Sequence, residues 1–263
     1  MSNATHDTAI ELQNVTKAFT TEARGRVVAI QDVNLQIESK SFVAVVGPSG
    51  CGKSTILNMV AGLMPPTEGT VFYKGKPVNK INTDAGYVTQ ESKLFPWLTL
   101  EQNVSFPLEV RGIDKQRRKE LVEEHLAMVG LTGFEKAYPY QLSGGMQKRA
   151  SIMRTLIYDP DVILMDEPFG PLDAQTRMIL QNELLNIWDK KKKTIVFVTH
   201  DLVEAIALSD KVVVMSNRPS RIRAVIDVPL SRPRNVFEIH QQEGFAETYD
   251  QLWQIFRHEL KIG

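Results

Sequence analysis

The order of apolar runs predicts an α/β fold: a mainly parallel sheet as the core, an antiparallel β subdomain, and an inserted α-helical subdomain. Three observations predict it. From residue 162 onward, short β-branched, fully apolar runs alternate with helical stretches, as strands covered on both faces require. Near the start, residues 10–19 and 27–37 alternate apolar and polar positions with period two, the mark of half-buried strands. Between about residues 100 and 158 the spacing becomes helical.

Taken in order, residues 1–9 read as a frayed leader. Residues 20–26, polar and containing Gly25, read as the hairpin turn between the two alternating strands. Residues 41–46 form a short apolar run that leads directly into a glycine-rich segment, and 55–63 continue as a helix. Residues 70–73 and 86–89 are further short strands. In the insertion, residues 115–129 carry Leu121, Val122, Leu126 and Val129 on one side, and 144–156 open with glycines and continue as a helix. Then come a strand at 162–165, a helix at 176–188, a strand at 194–199, a helix at 202–208 and a strand at 211–215, with 221–228 as an edge strand. In the tail, Phe245, Tyr249, Leu252, Trp253 and Phe256 recur at helical spacing. That pattern fits a docked amphipathic helix, with a partner-binding helix as the alternative. The expected organisation is one domain over residues 10–235, with the helical insertion at about 100–158, and a C-terminal helical extension over 236–263.

The 263 residues are 43% hydrophobic and 24% charged, enough for a substantial core. Formal net charge is zero, so no overall basic field draws nucleic acid or an anionic membrane. Cys51 is the single cysteine; no intrachain disulfide can form, which fits a reducing compartment. Residues 1–8 lack an apolar signal core, and no run approaches the roughly 18 apolar residues needed to span a bilayer. A soluble chain is expected, reaching any membrane through a partner.

The strongest local signal is the run Gly47, Pro48, Ser49, Gly50, Cys51, Gly52, Lys53, Ser54, Thr55, which fits G-x-x-x-x-G-K-[ST] between a strand and a helix. Glycines let the backbone close around phosphate with its N–H groups inward, and the helix adds its positive end. Lys53 can reach the β- and γ-phosphates and the Ser54 hydroxyl can ligate Mg²⁺, so the core is expected to be of the P-loop NTPase kind. Cys51 reads as a small filler of the loop. This motif alone leaves kinases, GTPases and motor ATPases open. An apolar strand then ends in two carboxylates: Asp166, placed to hold Mg²⁺, and Glu167, placed to polarise a water for attack on the γ-phosphate. Upstream, Ser143, Gly144 and Gly145 open a helix and form a second anion site. One chain needs no second γ-phosphate cradle, whereas a two-fold homodimer uses it on the other subunit's nucleotide.

At this point the chain resembles the ABC ATPase family over nearly its whole length. Leu142 to Gln147 reads LSGGMQ, that family's signature. The resemblance implies ATP and Mg²⁺ as cofactors, hydrolysis of ATP, and a second ATPase subunit whose nucleotide meets Ser143, Gly144, Gly145 and Gln147. It implies a glutamine loop at Gln90, touching Mg²⁺ and the attacking water, and a D-loop at Gly170, Pro171, Leu172 and Asp173, with Asp173 at the dimer interface. It implies that His200 senses the γ-phosphate and that Phe19 stacks on adenine, with Val28 adding an apolar wall; a buried strand phenylalanine is the other reading of Phe19. Residues 94–99, 166–173 and 216–219 resemble the nitrate/sulfonate/taurine importer subfamily; exposed Phe95, Pro96 and Trp97 would suit a groove that receives a permease helix, with local packing as the other reading. Expected partners are therefore transmembrane permease subunits and, indirectly, a solute-binding protein, at the cytoplasmic face of the membrane and without nucleic acid. The competing class is a soluble ABC ATPase that remodels nucleic acid or protein. Lys148 departs from the glutamine that many members carry; lying past the phosphate-facing residues, it is expected to matter little for catalysis.

Overall fold

The structure is a computed structural model that describes residues 7–21, 25–170 and 172–260. Strands β1 (Thr8–Thr21) and β2 (Gly25–Glu38) precede β3 (Phe42–Val46) and α1 (Lys53–Val60). Next come β4 (Glu68–Tyr73), β5 (Lys76–Pro77) and β6 (Ala85–Val88), then α2 (Leu100–Val110), α3 (Lys115–Met128), a 3₁₀ turn (Pro139–Gln141) and α4 (Gly144–Leu156). The chain continues through β7 (Val162–Asp166), α5 (Ala174–Lys191), β8 (Thr194–Val198), α6 (Leu202–Leu208), β9 (Lys211–Met215) and β10 (Ile222–Asp227). It closes with a second 3₁₀ turn (Val236–Gln241) and α7 (Phe245–Leu260).

Two sheets result. The larger has the order β10-β9-β3-β8-β7-β6. Its neighbours are parallel except for β10, which runs antiparallel to β9 at the edge. The smaller is antiparallel, in the order β2-β1-β4-β5. Every residue of β3, β7 and β8 is buried, which is why their sequences run apolar without alternation. Successive side chains of β3 still serve opposite faces. Val43 and Val45 pack with Ile10, Ile56 and Leu57 beneath the small sheet, while Phe42, Ala44 and Val46 face a second core shared with the later helices. The C-terminal ends of the parallel strands therefore meet between two filled layers, and the loops leaving those ends are held from both sides.

Caps fix the helices of the insertion. Thr99 and Gln102 form a reciprocal capping box at the start of α2, Asp114 caps α3, and Ser143 caps α4 through the N–H of Met146. The tail is a docked helix: Leu252 is fully buried, Phe245 and Phe256 nearly so, and Arg223 Nε donates to Glu259 at 2.7 Å. No helix among the described residues is long and apolar enough to cross a membrane.

Two expectations change, and two elements are added. The leader read at residues 1–9 gives way at Thr8, where β1 begins and pairs with Glu38; residues 1–6 lie outside the described residues. The hairpin turn read at 20–26 is narrower, because Thr20 pairs with Arg26 and Thr21 with Gly25 in β1 and β2; residues 22–24 lie outside the described residues. Helix α2 was not separately marked in the sequence, and the short strand β5 was not expected.

Candidate active site

The phosphate loop leaves β3 at Val46 and enters α1 at Lys53, two residues earlier than the sequence pattern placed the helix. Steric closeness explains two of its glycines. A Cβ on Gly47 would stand 2.9 Å from Cys51 Sγ and 3.0 Å from Met215 Cβ; one on Gly52 would stand 2.9 Å from Ile30 Cγ1. Gly52 also has φ +110°, in the left-handed region that other residues rarely adopt. The loop is thus wedged between β9 and β2, and buried Cys51 fills the gap beside Gly47. Burial pushes the Cys51 thiol above its usual range, which suits packing and not nucleophilic attack. Ser49, Gly50 and Ser54 are exposed, whereas Pro48 is buried and Thr55 half-buried.

Lys53 is 5% exposed, and its Nζ donates to the carbonyls of Gly47 (2.8 Å) and Pro48 (3.1 Å). Among the described residues the buried ammonium is held only on two neutral carbonyls of its own loop. Phosphate oxygens are better partners for it than neutral carbonyls. The residues present therefore fit a polyphosphate.

Strand β7 delivers the two carboxylates. Ser54 Oγ donates to Asp166 Oδ1 at 2.9 Å across 112 positions of sequence. Burial pushes the Asp166 carboxyl above the usual range, and neighbouring Glu167 adds to this; the Ser54 bond, Lys53 and Lys148 oppose it. A divalent cation would relieve that cost. Among the described residues no group of three or more His, Cys, Asp or Glu could hold a metal ion by itself. One hydroxyl and one carboxylate instead suit Mg²⁺, which takes its other ligands from phosphate and water.

Glu167 is the hub of a second group. Its Oε2 lies 3.2 Å from His200 Nδ1 and accepts from Gln90 Nε2 at 3.5 Å. Its backbone is left-handed, φ +41°, and the N–H donates to Val198 O at 2.9 Å, which ties the turn after β7 to the end of β8. A non-glycine residue kept in this region stores strain, a common feature of reacting groups. His200 is carried by a turn that Thr199 and Glu204 brace: Thr199 Oγ1 donates to Glu204 Oε2 at 2.6 Å, and Gln181 Nε2 donates to Glu204 Oε1 at 2.9 Å. Burial pushes the Glu204 carboxyl up. The sequence reading missed Glu204, although an acid inside the apolar run at 202–208 was a usable signal.

Other expected site residues lie elsewhere. Phe19 pairs with Val27 at the far end of β1 and is 38% exposed, with Lys17 Nζ 5.4 Å from its ring centroid, so the buried-strand reading fails. Ser143, Gly144 and Asp173 are exposed. Asp173 caps α5 by accepting from Thr176 N at 2.9 Å, and a Cβ on Gly145 would lie 3.5 Å from Leu172 Cδ2, so the signature turn adjoins the segment before α5. Pro171 lies outside the described residues. Gln147 does not face outward with Ser143: its amide donates back to Pro139 O (2.8 Å) and Leu142 O (3.2 Å), closing its own turn. Phe95 is half-buried against Phe106 and Arg154, correcting its reading as exposed, while Pro96 and Trp97 are exposed. Lys148, expected to matter little for catalysis, is fully buried and donates to Thr89 O (2.6 Å) and Gln90 O (2.9 Å). Burial pushes its pKa down to about 8, with Asp166 opposing.

A wedged glycine loop with a buried lysine at the head of a parallel sheet, beside a serine-carboxylate pair, defines a nucleoside-triphosphate-hydrolysing P-loop protein. Within that class the chain belongs to the ABC transporter ATP-binding family, whose model, described as ABC transporter, matches residues 30–170. It is an ATP-binding ATPase of that family. A protein of Methanocaldococcus jannaschii, named as an uncharacterized ABC transporter ATP-binding protein, is 50% identical over 95% of this chain and 92% of its own length. One of Bacillus thuringiensis, named as an aliphatic sulfonates import ATP-binding protein, is 45% identical over 95% of this chain and 96% of its own. Among solved structures, a dimeric ATP-binding cassette in a post-hydrolysis state with ADP and phosphate is similar at a TM-score of 0.76 and 32% identity, over 83% of this chain and 98% of that one.

Proposed function

We propose that the chain is the ATP-hydrolysing subunit of an importer. It would act at the cytoplasmic face of the membrane through a separate transmembrane permease and serve nitrate, a sulfonate, taurine or a similar small solute delivered by a solute-binding protein. The observation that carries the catalytic part is the convergence of Gln90 and His200 on Glu167, beside the Ser54–Asp166 pair. The importer part draws on the sulfonate-import relative. In this reading residues 10–235 form the ATPase domain, with the helical insertion near 100–158, and 236–263 form an extension.

Lys53 and the loop amides hold the phosphates and stabilise the charge that develops as the γ-phosphoryl leaves. Ser54, Asp166 and Gln90 would hold Mg²⁺. Bound there, the ion offsets charge on the β- and γ-phosphate oxygens. Glu167 orients the attacking water and takes its proton; His200, bonded to it, sets its position and reports on the γ-phosphate. Phe19 offers an exposed aromatic face to adenine. Ser143, Gly144 and Gly145 of a second copy close over the phosphates, with Asp173 alongside and Gln147 bracing their turn. ATP then joins two subunits and hydrolysis releases them.

Two outcomes check this. Ser54→Ala is expected to raise the Mg²⁺ concentration for half-maximal hydrolysis by about tenfold, as a magnesium titration at fixed ATP would read; an unchanged titration contradicts the metal assignment. In a pull-down from detergent-solubilised membranes, the wild-type chain should recover a polytopic membrane protein and Trp97→Glu should not, since a charge on that exposed ring opposes docking of an apolar helix face. Hydrolysis by the isolated Trp97→Glu chain should stay within about twofold, Trp97 being 70% exposed and outside the site. No membrane partner for the wild type contradicts the importer reading.

A further inference from the structure

The geometry points to Lys148 as a positioning residue that ties the glutamine loop to the signature helix, so that Gln90 is held on Glu167 by the element that carries Ser143. The inference rests on the role proposed above for Gln90 and Glu167. Lys148 lies in the second turn of α4 and has no exposed surface. Its ammonium crosses to the end of β6 and donates to two successive carbonyls, Thr89 O at 2.6 Å and Gln90 O at 2.9 Å. Those carbonyls sit where β6 ends and the chain turns away, beyond the strand's last paired residue Val88. The Gln90 side chain then reaches Glu167 at 3.5 Å, a long and weak bond that any slack in its backbone would break.

The physical argument is one of cost. A lysine is almost never fully buried unless its charge is used. Among the described residues no carboxylate forms an ion pair with it; two neutral carbonyls at the rim of the site take its N–H groups, and Asp166 acts only through the field. A core-filling role needs only an apolar side chain of that length, and methionine would supply it. What methionine cannot supply is the tether. The same helix starts at exposed Ser143, so a shift of α4 when a second subunit meets Ser143 would pull on Gln90 through Lys148. Gln90 would thereby be set by the state of the subunit contact.

The test uses the full chain and steady-state hydrolysis. Lys148→Met is expected to lower kcat by about tenfold or more while nucleotide Kd stays within about threefold, because it misplaces a group that acts on the reacting water and not on the bound phosphates. Amide exchange at residues 89–92 should quicken while β7 and β8 stay protected. Adding Gln90→Ala to Lys148→Met should cost less than the product of the two single losses, since both act through one side chain. Should Lys148→Met not fold, Lys148→Ala, which admits water to the two carbonyls, is read by the same criteria. A kcat within about twofold of wild type, unchanged exchange at 89–92, or fully multiplicative losses would overturn the tether. If Gln90→Ala and Glu167→Gln both turn over like wild type, the proposed catalytic roles fail instead; exchange at 89–92 then still decides whether Lys148 holds the loop.

Discussion

Glu167→Gln is expected to bind ATP within about threefold of wild type and to hydrolyse it at least about a hundredfold more slowly. The substitution keeps the size of the side chain and its place between Gln90 and His200. It removes only the ability to take a proton and the charge that orients water. The strained φ of +41° and the Glu167 N–H bond to Val198 do not depend on the side-chain head group, so the turn should hold. Binding rests on Lys53 and the loop amides, whereas the Glu167 carboxylate meets Gln90 and His200. Nucleotide affinity by fluorescence titration and phosphate release on the same preparation separate the two quantities. Wild-type turnover would remove Glu167 from the mechanism.

Lys53→Ala is expected to fail at the earlier step. Nucleotide affinity should fall by at least about tenfold and hydrolysis by about a hundredfold or more, because a charge-assisted bond from the buried Lys53 ammonium to phosphate is worth several times one at the surface. The fold should survive. The two loop carbonyls that Lys53 holds, on Gly47 and Pro48, can be reached by water once the side chain is gone, and the β9 and β2 contacts that wedge the loop remain. A thermal melt close to wild type with binding lost gives the expected pattern. Retained affinity would show that the loop binds phosphate through backbone N–H groups alone.

Much of this was legible in the sequence for a physical reason. The parallel strands are buried on both faces, so their apolar runs carry no ambiguity, and a glycine loop, two acids and a histidine at their C-terminal ends mark the rim. What escaped was polar residues in buried places. Helix α2 places Leu100, Asn103, Val104 and Leu108 on its inner face. Asn103 is fully buried, accepting from Phe95 N and donating to Phe95 O, Leu98 O and Thr99 O, so an amide interrupts the apolar stripe that would have announced the helix. Pro107 inside the same helix adds a signal that argues against one. The burial of Lys148 escaped for the same reason: a lysine reads as a surface residue, and only the spatial nearness of β6 and α4 gives its charge a use. The positive φ of Glu167 has no sequence signature, since glycine, which usually marks such a backbone, is not there.

The central claim is that two copies enclose nucleotide between the lysine loop of one and the serine-glycine turn of the other. Sedimentation of Glu167→Gln with ATP and magnesium tests it most directly. The account predicts a shift from monomer to dimer on adding ATP, absent with ADP and abolished when Ser143→Arg is introduced into the same chain. A Glu167→Gln chain that binds ATP yet sediments as a monomer, alone and with its membrane subunits present, would contradict it.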